Sequence, residues 1–425
     1  MSLPLKSNSK IFYGWIIVAV LLVIICIPYG IRFSFGVFFK SLEADLGLSR
    51  AATSSIFSVY MLSFSAFAIA AGWASDKYGP RPVFSLMSVL GGLSLLITSQ
   101  TSSLWQILLS YSLLFGMGTG GMMPIALSVV SRWFEQKRGF VLGIATSAAG
   151  LGSIIVAPFA AYLISNIGWR MSYIVLGLIT MLVTISLAPL LRRDPREIGM
   201  LPYGAESAVG VVEMASLSKG TKPLGIPLAQ ALRTRNLWFL LVASFLFAYG
   251  LNLVLTHVVP YATDVGIQAI EASTILSMIG GLHIVARLSA GSISDITGRR
   301  LPGLICATLG TLALIWLIWI RELWMFYLFA ILFGITWGGF GISVLATASD
   351  IFSGSSLGAI MGSIESGFAL GSAIGAFLGG YIFDATHSYA IAFVMGAVTT
   401  SIAALLFAMT KQTDFRGLRE LGSKY

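Results

Sequence analysis

The chain has 425 residues, of which 57% are hydrophobic and 10% charged, and its mean hydropathy is +0.90. Soluble domains carry roughly 25% charged residues, so this composition excludes a water-solvated globule and implies that lipid is the solvent for much of the surface. The formal net charge of +9 reads as loop topology and not nucleic-acid binding, because the basic residues sit in short connections.

In chain order, a short polar N-terminus (1–10) precedes an apolar run to about residue 37, too long for a signal-peptide core. Apolar stretches of about 20 residues then predict spans at 14–38, 50–74, 82–101, 104–130, 138–163 and 171–191, and again at 236–262, 269–294, 301–320, 324–349, 357–383 and 387–410. The expected organisation is an N-terminal six-helix half (1–191), a linker (192–235) that reads as a flexible tether, and a C-terminal six-helix half (236–425). Of the 26 Lys and Arg residues, 20 fall on one side of these spans, four on the other, and Arg32 and Arg287 inside. The rich side is expected to be cytoplasmic, which places both termini and the linker inside. Cys26 and Cys306 give no disulfide framework, and three scattered His give no metal cluster. With no phosphate-binding loop and no catalytic constellation, neither an enzyme nor a cofactor is expected.

The two halves repeat at a nearly constant offset of 219, which is 218 in the fourth and tenth spans. Gly72, Asp76, Gly79 and Arg81 (G-x-x-x-D-x-x-G-x-R) recur as Gly291, Asp295, Gly298 and Arg300. Both copies fall in the loop after the second span of their half, where an acid and nearby arginines could clamp helix ends in one conformation and release them in another. That predicts a cytoplasmic gate. Glycines at 116, 118, 120 and 121 in the fourth span recur at 334, 338, 339 and 341 in the tenth, a close-packing stripe. Parallel six-helix repeats are the arrangement of major facilitator transporters.

The doubled GWASDKYGPR and GSISDITGRR resemble the loop motif of that superfamily. More narrowly, YGIRFSFGVFFKSLEADLGLSRAATS, SRWFEQKRGFVLGIATSAAGLG and PREIGMLPYG resemble the monocarboxylate porter family, close to oxalate/formate exchangers. The resemblance implies an all-α integral membrane protein of the major facilitator fold, with twelve helices in two pseudo-symmetric halves. It implies movement of small carboxylates, often with a proton. It also implies an Arg in the eighth span, preceded four residues earlier by Asp. Here Arg287 is present and His283 stands in place of the acid. Arg32 lies close to the family's cation in the first span.

Charges inside a bilayer cost several kcal/mol and face a cavity or a partner. At the repeat offset Arg287 matches Ala68, His283 matches Phe64, and Glu365 matches Thr146. The fold therefore does not require charge at these places. Arg287 and His283 share one helix face, and a guanidinium suits a carboxylate through two parallel hydrogen bonds. Glu365 is expected to neutralise Arg287 in the empty site, with Glu365 and His283 as proton-coupling groups. Substrate contacts are expected from Arg287, Arg32, His257, Tyr29 and Trp337, with Phe340, Met122 and Met123 along an apolar pocket. Glu43, Asp45, Asp264 and Glu271 read as solvated loop charges, and Asp350 as a helix-end or gate residue.

These readings predict a secondary transporter of small monocarboxylates, working by alternating access with a proton, as a monomer in the inner membrane. The partners are then a small carboxylate, protons and lipid, with no nucleic acid. The rivals are a carboxylate exchanger, a non-transporting sensor on a transporter fold, and an exporter of hydrophobic compounds.

Overall fold

The computed structural model describes residues 12–204, 228–352 and 357–410, and the side chains of residues 76, 138, 139, 228, 229, 291, 292, 295, 296 and 357–359 lie outside that description. The first half comprises α1 (Tyr13–Phe33), α2 (Phe35–Leu46), α3 (Arg50–Tyr78), α4 (Pro80–Thr98), α5 (Leu104–Trp133) and α6 (Arg138–Leu187). The second comprises α7 (Arg235–Asp264), α8 (Ala269–Thr297), α9 (Arg300–Leu317), α10 (Leu323–Ile351), α11 (Leu357–Thr386) and α12 (Ala390–Met409). Among the described residues, eleven helices are long and apolar enough to cross a membrane. One of them, α6, turns back at Gly168 (φ 74°, ψ 164°), so the chain makes twelve passes in two six-helix halves. Leu182 and Leu405, 65% and 64% exposed, lie on the outer surface where only lipid can cover them.

Local chemistry sets the helix ends. Ser49 caps α3, its hydroxyl accepting from Ala52 N at 3.2 Å. Gly79 ends α3 at φ 87° and Pro80 opens α4. Gly298 repeats the turn between α8 and α9 at φ 85°, a backbone region that side-chain-bearing residues rarely adopt. The first span continues past its predicted end. It breaks at Ser34 (φ −81°, ψ 1°), whose hydroxyl donates to Gly30 O at 2.6 Å, and resumes as α2. Within α5 the segment Leu108–Phe115 is a π-helix.

Within each half α1 packs on α6, α7 on α11, and α8 on α10; across the halves α3 meets α11 and α6 meets α8. The sequence repeat is also a repeat of contacts. A Cβ on Gly120 would lie 2.2 Å from Phe64 O, and one on Gly338 would lie 2.4 Å from His283 O. Arg81 Nε donates to Leu191 O past the end of α6, and Arg300 Nη2 donates to Ala408 O at the end of α12. Each motif arginine thus ties the start of one helix to the end of the last helix in its own half.

The tether expectation needs correction for residues 192–204. Tyr203 N donates to Trp133 O (2.9 Å), Glu135 N donates back to Tyr203 O (3.2 Å), and the Tyr203 ring packs on Phe12 and Phe134. Asp194 caps the turn Pro195–Ile198. The linker therefore docks on the loop between α5 and α6 before residues 205–227, which lie outside the described residues.

Candidate functional site

A central cavity of about 1210 Å³ lies between the halves, walled by α1, α3, α5, α6, α7, α8, α10 and α11. Arg32 enters it from the last turn of α1, just before the Ser34 break. The residue is 6% exposed. Its guanidinium carbon lies 4.6 Å from the Phe64 ring centre, 5.0 Å from Phe33 and 5.5 Å from Tyr29. Nη2 reaches Met61 Sδ at 3.3 Å, and Nε is buried without a partner. Aromatic faces attract a desolvated cation but leave its charge uncompensated.

The second half supplies the facing wall. His283, 1% exposed, stacks on Trp337 with ring centres 4.1 Å apart, and neither ring nitrogen has a hydrogen-bond partner. Trp337 meets Phe33 edge-on at 5.0 Å. An aromatic path therefore runs from the Arg32 cage on one half to His283 on the other. Arg287, one turn beyond His283, and Glu365 on α11 line the same cavity. Among the described residues no ion pair forms at Arg32, Arg287 or Glu365. Arg287 and Glu365 thus share the cavity without a contact ion pair. The two charges stand on different helices with open cavity available to both, and Glu365 is exposed to that space.

Of the residues expected at the substrate, Arg32, Arg287, Tyr29, Trp337 and Met123 reach the cavity wall. Met122 and Phe340 are fully buried core residues, because their helix faces turn into their own halves. His257 is also away from the cavity. Its Nε2 lies 2.9 Å from Ala376 O and 3.4 Å from Ser54 Oγ, and its Nδ1 lies 3.2 Å from Tyr389 Oη. It fills a fully buried joint among α3, α7, α11 and α12.

That joint lies beneath a cluster of charges that closes one end of the molecule. Arg50 at the start of α3 forks onto Asp264 at the end of α7, Nη1 to Oδ2 at 2.6 Å and Nη2 to Oδ1 at 3.0 Å. It also pairs with Glu43 (3.3 Å), donates to Tyr389 Oη (2.7 Å) and lies 3.7 Å above the Phe383 ring. Lys40 pairs with the same Asp264. The Asp384 carboxylate of α11 accepts from Arg50 N (3.0 Å) and Ala51 N (2.8 Å), capping α3 from the opposite half. Asp264 and Glu43 are therefore not solvated loop charges: Asp264 is the acid of an inter-half latch, and Glu43 holds Arg50 from within its own half. Asp45 likewise pairs with Arg170 at 2.6 Å.

At the other end Asp350 pairs with Arg299 at 3.2 Å. Of the loop motif, the Arg81 and Arg300 contacts above are observed, while the Asp76, Asp295 and Gly291 side-chain positions lie outside the described residues. Asn252, on the cavity wall, escaped the sequence reading: an uncharged amide in an apolar run gives no charge signal.

The sequence matches the family model described as Major Facilitator Superfamily over residues 20–347 and 263–421. It is 23% identical over 419 residues to monocarboxylate transporter 12 of Xenopus laevis, covering 94% of this chain and 89% of that protein. It is 26% identical over 289 residues to a probable sulfoacetate transporter of Cupriavidus necator, covering 65% of each. The fold is shared with a bacterial homologue of the human lysosomal transporter Spinster in an inward-facing, unoccupied conformation, with a TM-score of 0.76 and 17% identity over 95% of this chain and 98% of that one. Matched along most of its length and built as two six-helix halves around a cavity, the chain belongs to the Major Facilitator Superfamily: it is a multi-pass membrane transporter of small molecules, not an enzyme, and it resembles monocarboxylate transporters.

Proposed function

We propose that the protein moves small monocarboxylates by alternating access, coupled to a proton carried at Glu365. The observation that carries this reading is two guanidiniums, Arg32 and Arg287, on one cavity with no ion pair to either among the described residues. A carboxylate supplies the missing acceptor, and Arg offers it a planar fork. Two cations and one ionised Glu365 leave a single positive charge, which one monoanion balances. A proton on Glu365 raises the deficit and favours anion capture, which links the two movements. Support from relatives is of the same kind, since similar proteins are named for monocarboxylate and sulfoacetate transport.

The excess of Lys and Arg on the motif side supports a cytoplasmic location for that side and both termini, which makes the Arg50–Asp264 latch extracellular. The latched state is then the inward-open one. The loop-motif residues Gly72, Asp76, Gly79 and Arg81, with Gly291, Asp295, Gly298 and Arg300, form the cytoplasmic gate that closes when the latch releases. The same two guanidiniums suit a second reading, carboxylate exchange without a proton.

The deciding experiment is uptake of labelled small carboxylates by purified protein in liposomes, with and without an inward proton gradient, for wild type and Arg287→Lys. Gradient-driven uptake that falls at least about tenfold in the variant, one lost charge-assisted hydrogen bond, fits the symport reading. Dependence on an internal counter-anion turns the reading to exchange. No binding or flux of any carboxylate removes both.

A further inference from the structure

We propose that Asn252 is a specificity-determining residue of the cavity, selecting carboxylates that carry a hydroxyl over oxo or unsubstituted acids of the same skeleton. The proposal rests on the carboxylate reading above and adds to it what the rest of the substrate must offer.

Asn252 lies on α7, 1% exposed, at the cavity wall. Its Nδ2 donates to Ser372 Oγ at 2.7 Å and to Ala248 O at 3.2 Å. A main-chain carbonyl only accepts, and Ser372 Oγ spends its own proton on Phe368 O at 2.8 Å. Both neighbours therefore require the amide nitrogen on their side, which fixes the orientation of the side chain. The amide oxygen is left buried with no partner. A bridge between α7 and α11 accounts for the nitrogen, but it does not account for the oxygen.

An oxygen that can only accept needs a donor. A carboxylate, a ketone and a methyl group have none to give. An ammonium does, but Arg32 and Arg287 already set two cations against one carboxylate in this cavity, so a third cation is opposed. A hydroxyl meets both requirements. His283 on the neighbouring helix α8 has one donor and one acceptor nitrogen when neutral, both unpartnered here, and a hydroxyl, being donor and acceptor at once, can meet either. Arg287, one turn further along α8, takes the carboxylate. The three atoms are buried in this conformation, so a ligand reaches them once the side chains covering them move aside.

The test is competition binding on the purified full-length protein with two matched pairs, lactate against pyruvate and 3-hydroxybutyrate against acetoacetate. Wild type should bind the hydroxy member of at least one pair about tenfold tighter, the ratio an unmet buried acceptor sets. Asn252→Leu and the smaller Asn252→Ala should bring that ratio to about one by weakening the hydroxy acid alone. Unchanged affinity for the oxo acid shows that the variants are folded. A wild-type ratio near one in both pairs, or a preference that survives both substitutions, overturns the proposal while leaving carboxylate transport intact. Failure of wild type to bind any of the four overturns the carboxylate reading and this one with it.

Discussion

Arg32 and Arg50 are both buried guanidiniums, and their surroundings give them opposite consequences. Arg32 is caged by the rings of Tyr29, Phe33 and Phe64 and has no acid partner among the described residues. Its removal strands no carboxylate, so Arg32→Gln should fold normally, with a Tm within a few degrees of wild type, and lose carboxylate affinity about tenfold or more. Unaltered affinity in the folded variant would show that the cage holds a structural cation. The sequence made Arg32 and Arg287 visible because a charge within 20 apolar residues demands a reason. It misplaced His257 because an imidazole in an apolar run looks the same whether it faces a cavity or a helix joint. It missed Asn252 for want of charge. Asp264 and Glu43 were misread because a charge at a span's end is ordinarily solvated, and only the crossing of α3 and α7 shows what they meet.

Helix contacts position these groups, and glycine permits the contacts. Gly338 lets α10 approach α8 until its missing Cβ would lie 2.4 Å from His283 O, whereas a Cβ on Gly341, on the same helix, would meet nothing within 4 Å. Gly338→Ala must push α10 away from the carbonyl at the site's own wall, while Gly341→Ala gains helix propensity in open space. The first should lower stability by about 1–3 kcal/mol and weaken substrate binding; the second, although Gly341 lines the cavity, should leave stability intact. Thermal unfolding in detergent with parallel binding assays separates them, and equal behaviour of the two would mean that α8 and α10 can separate freely. At this scale the sequence was a good guide. The repeat that pairs Phe64 with His283 at an offset of 219 pairs Gly120 with Gly338, their contact partners, at 218, because a repeated fold repeats its close approaches. The break at Ser34 was not visible because apolar residues run through it, and the extension of the first span to Leu46 was not because Lys40, Glu43 and Asp45 read as loop charges. The turn at Gly168 falls where a gap between spans was expected, although the helical backbone continues on both sides of it.

Across the whole molecule, the halves hold together at one end through Arg50, Lys40 and Asp264, through Asp384 capping α3, and through the His257 joint. This end must open for the cavity to face the other way. Breaking the fork therefore acts on the balance between two conformations, since both halves keep their own cores. Arg50 has 8% side-chain exposure and Asp264 has 25%, so their pairing is worth more than a surface ion pair and less than a fully buried one. A loss of about 2 kcal/mol moves the equilibrium roughly thirtyfold toward the state open at the latch end. Asp264→Asn removes the acid that Arg50 and Lys40 share, leaving Glu43 and Tyr389 on Arg50. Spin labels on α2 and α7 at this end should show a new long-distance population in Asp264→Asn, with the wild-type distance reduced. If the wild-type distance distribution persists unchanged in the variant, the Asp384 cap and the His257 joint hold the end closed on their own. In that case double substitution with Asp384→Asn should release it, because Asp384 supplies the remaining charged contact across the halves here.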